Sequence, residues 1–241
     1  MRHTQFLVFE ISDRCNLAGR HAGRCPVSLA DRYGALDTSR PLTDELIIEC
    51  CEKAYHELGF QGRIAWHYYN EPMLSWDRLR TLIPRIKARV HEATFLLWTN
   101  GTIWPANLMD LAVFRDIVVT DYDAQDFKAL VQALPGTRIV ALHPGLDDRA
   151  LCRSQYAEER CQRMFTELII DHYGNGHLCC MDFRGACPLG NVWDAGFEQV
   201  VLNFLEIRDL VSRYPMSAAA PRVCRFCTHR MAQKAYWVHL D

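Results

Sequence analysis

Short apolar runs of strand length alternate with helical segments through the first 150 residues. The strand-like runs are FLVFEI (6–11), RIAWHYY (63–69), TFLLW (94–98), DIVVT (116–120) and TRIVAL (137–142). The helical segments are 43–58, which begins at a predicted N-cap on Thr43, 75–90, in which Pro84 predicts a kink, and 124–134. This alternation predicts an α/β chain built around a parallel sheet.

Composition and charge restrict the core size, the partners and the compartment expected for the chain. The chain has 241 residues, is 49% hydrophobic and carries a net charge of −2. It can therefore bury a sizeable core, and its charge gives no reason to expect nucleic acid as a partner. No apolar run approaches the roughly 18 residues that span a bilayer, and the first residues do not resemble a signal peptide. We expect a cytoplasmic protein with no membrane partner.

Distinctive polar residues follow the first three strand-like runs. Cys15 comes after the first run, Asn70 and Glu71 after the second, and Thr99 and Asn100 after the third. The carboxyl ends of parallel strands meet at one edge of a sheet, where active sites of α/β proteins collect. The sequence therefore predicts one shared site at this edge.

The pattern changes after about residue 150. LIIDHYGNGHLCC predicts a β-hairpin that turns at residues 174–176, and a helix is expected over FEQVVLNFLEIRDLVSRY (197–214). We expect two units, 1–150 and 151–241, the second being a small α+β extension.

Eleven cysteines are many for a chain without a secretion signal, and in a reducing compartment they indicate metal more than disulfides. Cys50 and Cys51 lie inside a helical pattern and are expected to be core thiols. Cys161, Cys179 and the pair Cys224-x2-Cys227 remain. Four thiolates suit a structural zinc or a [4Fe–4S] cluster equally well.

The order Cys161-x12-Gly174-x4-Cys179, then PLGNVWD, then Cys224-x2-Cys227 resembles the SPASM/twitch extension of radical S-adenosylmethionine (SAM) enzymes. Within that superfamily it is similar to the single-cluster form of the 2-deoxy-scyllo-inosamine dehydrogenases. The resemblance implies that these four cysteines hold an auxiliary [4Fe–4S] cluster. Cys180 and Cys187 are the alternative ligands.

The N-terminal half is similar to the same superfamily, which has a partial (β/α)6 barrel. YYNEP and WTNG stand where its members carry a Gly-Glu-Pro-like motif and a Thr-Asn-Gly-like turn. The resemblance implies that Asn70, Glu71, Thr99 and Asn100 bind SAM, since carboxylate and amide oxygens accept hydrogen bonds from an ammonium group.

The loop EISDRCNLAGRHAGRCPVS (10–28) departs from the superfamily pattern C-x3-C-x2-C. Counted from Cys15, the other two thiols would stand at positions 19 and 22, which are Gly19 and Ala22. The loop is a variant cluster site with Cys15, Cys25 and a third ligand such as His21, or it has lost its cluster, or the fold serves binding alone. Imidazole does replace thiolate in some iron–sulfur centres, but His21 is interpreted as an ordinary solvated loop residue in preference to a ligand.

The resemblance implies an enzyme that cleaves SAM reductively and abstracts a substrate hydrogen atom. The auxiliary cluster would accept an electron or ligate the substrate, a small molecule or a peptide, and flavodoxin or ferredoxin would supply electrons. The alternative is a catalytically altered iron–sulfur or zinc protein that uses this fold for binding. Trp66 and Trp98, near strand ends, are expected to pack in the core rather than line a substrate site.

Overall fold

One mixed sheet of eight strands runs through the described part of the chain. The computed structural model describes residues 1–142, 166–213 and 220–225 and the strand backbone at 237–239. Its strands are β1 (Phe6–Phe9), β2 (Arg63–Trp66), β3 (Phe95–Thr99), β4 (Asp116–Thr120), β5 (Arg138–Leu142), β6 (Glu167–Ile170), β7 (Gly176–His177) and β8 (Trp237–His239). Their order is β7-β6-β1-β2-β3-β4-β5-β8. Cys161 and Cys227 lie outside the described residues.

Helices connect the parallel strands. They are α1 (Asp44–Glu52), α2 (Trp76–Arg89), α3 (Lys128–Ala133), α4 (Gly196–Arg213) and the short α5 (Arg222–Arg225). A π-helical turn, Lys53–Glu57, extends α1, and short 3-10 helices occupy Pro26–Ser28, Pro72–Ser75 and Leu108–Val113. The Thr43 hydroxyl accepts a hydrogen bond from the backbone N–H of Leu46, so the predicted N-cap is confirmed.

The sequence did not predict that the sixth parallel strand would pair with β1. Residues 1–142 supply five parallel strands, and β6 adds the sixth by pairing with β1, Phe6 opposite Glu167. A strand of the predicted extension therefore completes the sheet of the predicted barrel. All four residues of β6 are buried, which explains why it pairs inside the sheet instead of standing apart. The division at residue 150 stays a prediction.

The two faces of the sheet pack against different partners. Leu7, Phe9 and Ile64 point into a large core shared with α1, α2 and α4. On the opposite face, here called the inner face, Val8 and Ala65 pack with a smaller cluster. The inner-face cluster also contains Val118, Val140 and Ile169 from the sheet and Cys25, Tyr68, Tyr69, Cys180 and Phe183 from segments that cover it.

Cys50 and Cys51 are fully buried in the large core, so the prediction that they are core thiols is confirmed. Burial raises the pKa of both thiols, which disfavours the thiolate that binds metal. Within the described residues, no helix is both long enough and apolar enough to cross a bilayer.

Candidate functional site

The carboxylate of Glu71 joins the carboxyl ends of β2 and β3. It accepts hydrogen bonds from the backbone N–H of Asn100 (2.7 Å), the hydroxyl of Thr99 (2.7 Å) and the backbone N–H of Met73 (2.9 Å). The side chain is only 1% exposed. Burial raises its pKa, although the three hydrogen bonds oppose that change. Glu71 therefore fixes the loop after β2 to the loop after β3. Its contact with SAM stays a prediction.

The turn after β3 is held by short contacts. Gly101 has a φ of +73°, and a Cβ atom there would lie 2.6 Å from the Cγ1 atom of Val119. The side-chain oxygen of Asn100 accepts hydrogen bonds from the backbone N–H and the hydroxyl of Thr102. The Asn100 amide nitrogen donates to Asn16 at 2.8 Å and lies 3.9 Å from the sulfur of Cys15. Asn100 thus connects the third strand to the cysteine loop.

Glu10, which the sequence did not single out, has the same role at β1. Its carboxylate accepts bonds from the backbone N–H groups of Tyr69 (3.0 Å) and His172 (3.3 Å) and pairs with the guanidinium of Arg32. Glu10 is fully buried, and burial raises its pKa while the charge of Arg32 opposes the change. The signal in the sequence was a carboxylate directly after an apolar strand.

Asn70 differs from the other predicted SAM residues. It is 9% exposed, and within the described residues neither the oxygen nor the nitrogen of its amide has a hydrogen-bond partner. The buried hydroxyl of Ser12, three residues after β1, likewise has no hydrogen-bond partner within the described residues. Buried polar atoms without partners are costly in a finished protein interior. Their presence at this edge fits a bound polar group such as the amino acid part of SAM.

The cysteine loop folds back on the sheet edge. Cys15 is half-buried and Cys25 is buried, and the backbone N–H of Cys25 donates to the carbonyl of His21 at 3.0 Å. His21 is only 3% exposed, and its ring packs edge-on against Tyr122 with centroids 4.7 Å apart. The interpretation of His21 as a solvated residue is therefore wrong. Gly19 is exposed, and a Cβ atom there would meet no atom within 4 Å.

Protein groups hold this loop in place. The Ser28 hydroxyl donates to the carbonyl groups of His21 and Cys25 and accepts from the backbone N–H of Gly23. In the described ranges no three His, Cys, Asp or Glu side chains form a group that could hold a metal ion. Cys15, His21 and Cys25 are therefore near one another in sequence but are not gathered around one point. A cluster held by these three residues would require the loop to rearrange.

The C-terminal cysteines that the structure describes are all buried. Cys179, Cys180, Cys187 and Cys224 are between 2% and 7% exposed. Thiolates are the usual ligands of iron–sulfur clusters, but among the described residues these cysteines, like those of the N-terminal loop, do not form a group of three that could hold a metal ion. Burial raises the pKa of the Cys187 thiol to about 12, so that this thiol is protonated without a metal. The choice between Cys179, Cys180 and Cys187 as ligands stays open.

The cysteine segment contacts the sheet edge directly. The hydroxyl of Tyr69 donates to the backbone carbonyl of Cys180. The carboxylate of Asp182 accepts from the backbone N–H of Cys187 at 3.3 Å, and burial raises its pKa to about 6. Tyr69, the second tyrosine of YYNEP, thus links the loop after β2 to the cysteine segment.

The predicted hairpin before these cysteines is confirmed. Strands β6 and β7 pair antiparallel, with Ile170 opposite Gly176. The carboxylate of Asp171 holds the turn by accepting from the backbone N–H of Asn175 at 2.9 Å and from the imidazole of His177 at 2.9 Å.

Residues 161–228 match the sequence profile of the SPASM family, described as an iron-sulfur cluster-binding domain. The chain carries a SPASM iron–sulfur domain. The SPASM domain implies an iron–sulfur cluster, and its range includes all four predicted ligands, Cys161, Cys179, Cys224 and Cys227. No curated protein sequence matches the chain.

The fold is similar to two solved structures along nearly the whole chain. A crystal structure of BtrN in complex with AdoMet (SAM) and 2-DOIA has a TM-score of 0.64 and 20% identity, covering 87% of this chain and 88% of BtrN. A structure of BtrN in an open conformation has a TM-score of 0.62 and 20% identity, covering 93% and 92%. At 20% identity this likeness shows the fold, and the SPASM match confirms the C-terminal part of the resemblance.

A row of side chains crosses the inner face of the sheet, the face on which Cys25 of the cysteine loop and Cys180 also pack. We call these residues, Glu167 (β6), His67 (after β2), Trp98 (β3) and Thr120 (β4), the inner belt. The imidazole of His67 lies 3.9 Å from the Glu167 carboxylate, and its ring centroid lies 5.0 Å from that of Trp98. The Trp98 indole N–H donates to the Thr120 hydroxyl at 2.7 Å. No sequence signal singled out His67 or Glu167. Trp66 is fully buried in the large core and Trp98 packs against the inner-face cluster, as expected for both.

Proposed function

We propose that the chain is a radical SAM-type enzyme whose site lies at the carboxyl edge of β1–β3, between the cysteine loop and the SPASM domain. The observation that carries the proposal is the likeness of fold along nearly the whole chain to a structure that binds AdoMet, together with the SPASM match. When bound, a reduced cluster with SAM supplies hydrogen abstraction, and the auxiliary cluster supplies an electron acceptor or a ligation point for substrate.

Each proposed group has residues that would hold it. Cys15 and Cys25, with His21 as the third ligand, would hold the first cluster. Asn70 would bind the amino acid part of SAM, since its amide has no partner in the described residues. The auxiliary cluster would be held by Cys161, Cys179, Cys224 and Cys227, with Cys180 and Cys187 as alternatives.

Two buried carboxylates fix the loops at the carboxyl edge of β1–β3. Glu10 and Glu71 bind backbone N–H groups of the neighbouring loops, so the loops after β1, β2 and β3 are fixed before any ligand binds. A preorganised edge binds a ligand at a lower cost in conformational entropy. The proposed outcome is oxidation of a small molecule or peptide, or formation of a bond on it, with electrons from a flavodoxin or ferredoxin in the cytoplasm.

Anaerobic reconstitution with iron counting and EPR spectroscopy tests the proposal. We expect about eight irons per chain, corresponding to two [4Fe–4S] clusters, and an EPR signal that changes when SAM is added. Cys15→Ser should remove one cluster and the SAM-dependent change. Cys50→Ala is the matched control, since Cys50 is a core thiol, and should leave both unchanged.

A second candidate function is binding without radical chemistry. It is favoured by the cysteine loop, in which protein groups hold the backbone and Cys15, His21 and Cys25 are not gathered into one group. This candidate predicts about four irons per chain and no SAM cleavage under dithionite. Bound zinc in place of iron would overturn both cluster assignments.

A further inference from the structure

A polar cleft opens at the amino edge of the sheet, the edge opposite the candidate site. Its volume is about 390 Å³, and its lining residues, 2–5, 61–63, 94 and 115, stand at or just before the starts of β1, β2, β3 and β4. Strands of four or five residues separate the two edges by about 13–17 Å. The cleft, which we call the amino-edge cleft, is therefore distinct from the proposed SAM site.

The lining of the amino-edge cleft carries positive charge and, among the described residues, no aspartate or glutamate. Arg2 and Arg115 are exposed, and neither forms an ion pair with a carboxylate in the described part of the chain. Arg63 also lines the cleft, but its guanidinium pairs with the buried carboxylate of Asp116 at 3.0 Å. Two positive charges, those of Arg2 and Arg115, are thus left for a ligand.

A further guanidinium, that of Arg208 on α4, lies next to the amino-edge cleft. Its Nη1 atom is 3.5 Å from the hydroxyl oxygen of Thr4, a residue that lines the cleft. Arg208 is half-buried, and within the described residues no carboxylate pairs with it. Burial lowers its pKa, since removal from water disfavours the charged form. An anion bound in the cleft would supply the opposite charge that Arg208 lacks.

Hydrogen bonds and a close backbone contact fix the lining of the cleft. The backbone N–H of Arg63 donates to the carbonyl of Gln5 at 2.8 Å, and the Tyr55 hydroxyl donates to the carbonyl of Gly62 at 2.7 Å. Gly62 lies so near the preceding strand that a Cβ atom there would be 2.2 Å from the Gln5 carbonyl oxygen. The lining segments are thus held in place before a ligand binds, which lowers the entropic cost of binding.

The charge and size of the amino-edge cleft select one kind of ligand. Guanidinium groups bind phosphate through paired, charge-assisted hydrogen bonds, and a phosphate monoester carries a charge of about −1.5 to −2 at pH 7. That charge matches the two arginines without carboxylate partners. The cleft volume is that of a small-molecule site. We propose that the amino-edge cleft binds a small phosphate-bearing molecule, with Arg2 and Arg115 as its phosphate-binding residues.

Isothermal titration calorimetry on the anaerobically reconstituted full chain, desalted to remove unbound iron, tests the inference. The probes are inorganic phosphate, pyrophosphate and a hexaglutamate peptide. We expect pyrophosphate to bind saturably at one site per chain and more tightly than inorganic phosphate, because it presents more oxygens to the two arginines. The peptide should bind more weakly than pyrophosphate. The reverse order would overturn the proposal in favour of an acidic segment of a partner protein.

Variants locate the binding site. Arg2→Gln and Arg115→Gln should each weaken pyrophosphate binding by about tenfold or more. Arg115→Lys keeps the charge but loses the planar fork, and should weaken binding less than Arg115→Gln. Arg80→Gln is the matched control, since Arg80 is an exposed arginine of α2 outside the cleft lining, and should bind as the wild type does. Circular dichroism identifies any variant that fails to fold, and the other arginine variant then decides.

The outcomes separate this inference from the proposed function. Pyrophosphate binding that the Arg2 and Arg115 variants weaken and the Arg80 variant does not would support the inference, whether or not the protein cleaves SAM. A wild type without saturable binding of pyrophosphate would overturn it. Equal binding by the wild type and both arginine-to-glutamine variants of the cleft would overturn it too, because the phosphate would then bind elsewhere.

Discussion

The Glu71 carboxylate accepts a hydrogen bond of 2.7 Å from the backbone N–H of Asn100. This single bond joins a residue of YYNEP to a residue of WTNG, two motifs separated by 25 residues that fold at adjacent strand ends. The side chain that the motif resemblance suggested as a ligand for SAM also supports the geometry of the site. Its removal should affect folding as well as binding.

Glu71→Gln should lower the free energy of unfolding by about 1–3 kcal/mol. The amide has one oxygen in place of two, so that one of the three N–H or O–H donors around Glu71 would face an NH2 group. Urea unfolding followed by circular dichroism measures the loss. Glu206→Gln, at an exposed position of α4, is the control and should change stability by less than about 0.5 kcal/mol. Equal stability of the two variants would contradict the structural role of Glu71.

The same variant should change how stability depends on pH. Burial raises the pKa of Glu71 in the folded protein above its ordinary value of 4.5. The folded state therefore binds the proton more tightly than the unfolded state does. As the pH rises from 4.5 through the raised pKa, the wild type should lose free energy of unfolding relative to Glu71→Gln, because ionising the buried group becomes a cost of folding. A difference that grows in the other direction would show that hydrogen bonds outweigh burial.

The buried pair of Arg32 and Glu10 should be sensitive to the loss of either partner. Their side chains are 4% and 0% exposed, so Arg32→Met would leave a buried carboxylate without its cation. We expect a loss of about 3–5 kcal/mol in the free energy of unfolding. Arg184→Met is the matched control, since Arg184 pairs with Asp31 at the surface, and should cost less than about 1 kcal/mol. Thermal melts of the two variants side by side measure the contrast.

Gly101→Ala tests the turn after β3. The positive φ of Gly101 is unfavourable for a side chain, and the added Cβ atom would lie too close to Val119. We expect a loss of about 1–3 kcal/mol in stability. Gly136→Ala, where a Cβ atom would meet no atom within 4 Å, should be nearly neutral. Similar melting temperatures for both variants would show that the turn relaxes without cost.

The regular elements could be predicted from the sequence because their signals are local. The run DIVVT coincides with β4, and the predicted hairpin turns at Gly174–Gly176, since β-branched runs and glycine turns determine backbone conformation within a few residues. The place of β6 beside β1 could not be predicted in this way. Pairing between strands more than 150 residues apart depends on the whole core and leaves no local pattern.

The candidate site was predictable only in part for the same reason. The cysteines and the strand-end motifs are distinctive residue types at set spacings, and the SPASM match spans the C-terminal cysteines. Glu10 is an ordinary residue type whose position at the site depends on contacts with Tyr69 and Arg32 from other parts of the chain. The burial of His21 likewise depends on Tyr122, which lies 101 positions further along the chain.

SAM cleavage by the reduced, reconstituted protein tests the central claim most directly. Chromatography would measure 5′-deoxyadenosine formed under dithionite by the wild type, by Cys15→Ser and by Cys25→Ser. The account predicts that the wild type forms this product and that both variants lose it while keeping the iron of the SPASM domain. A wild type that holds only one cluster and leaves SAM intact would contradict the account.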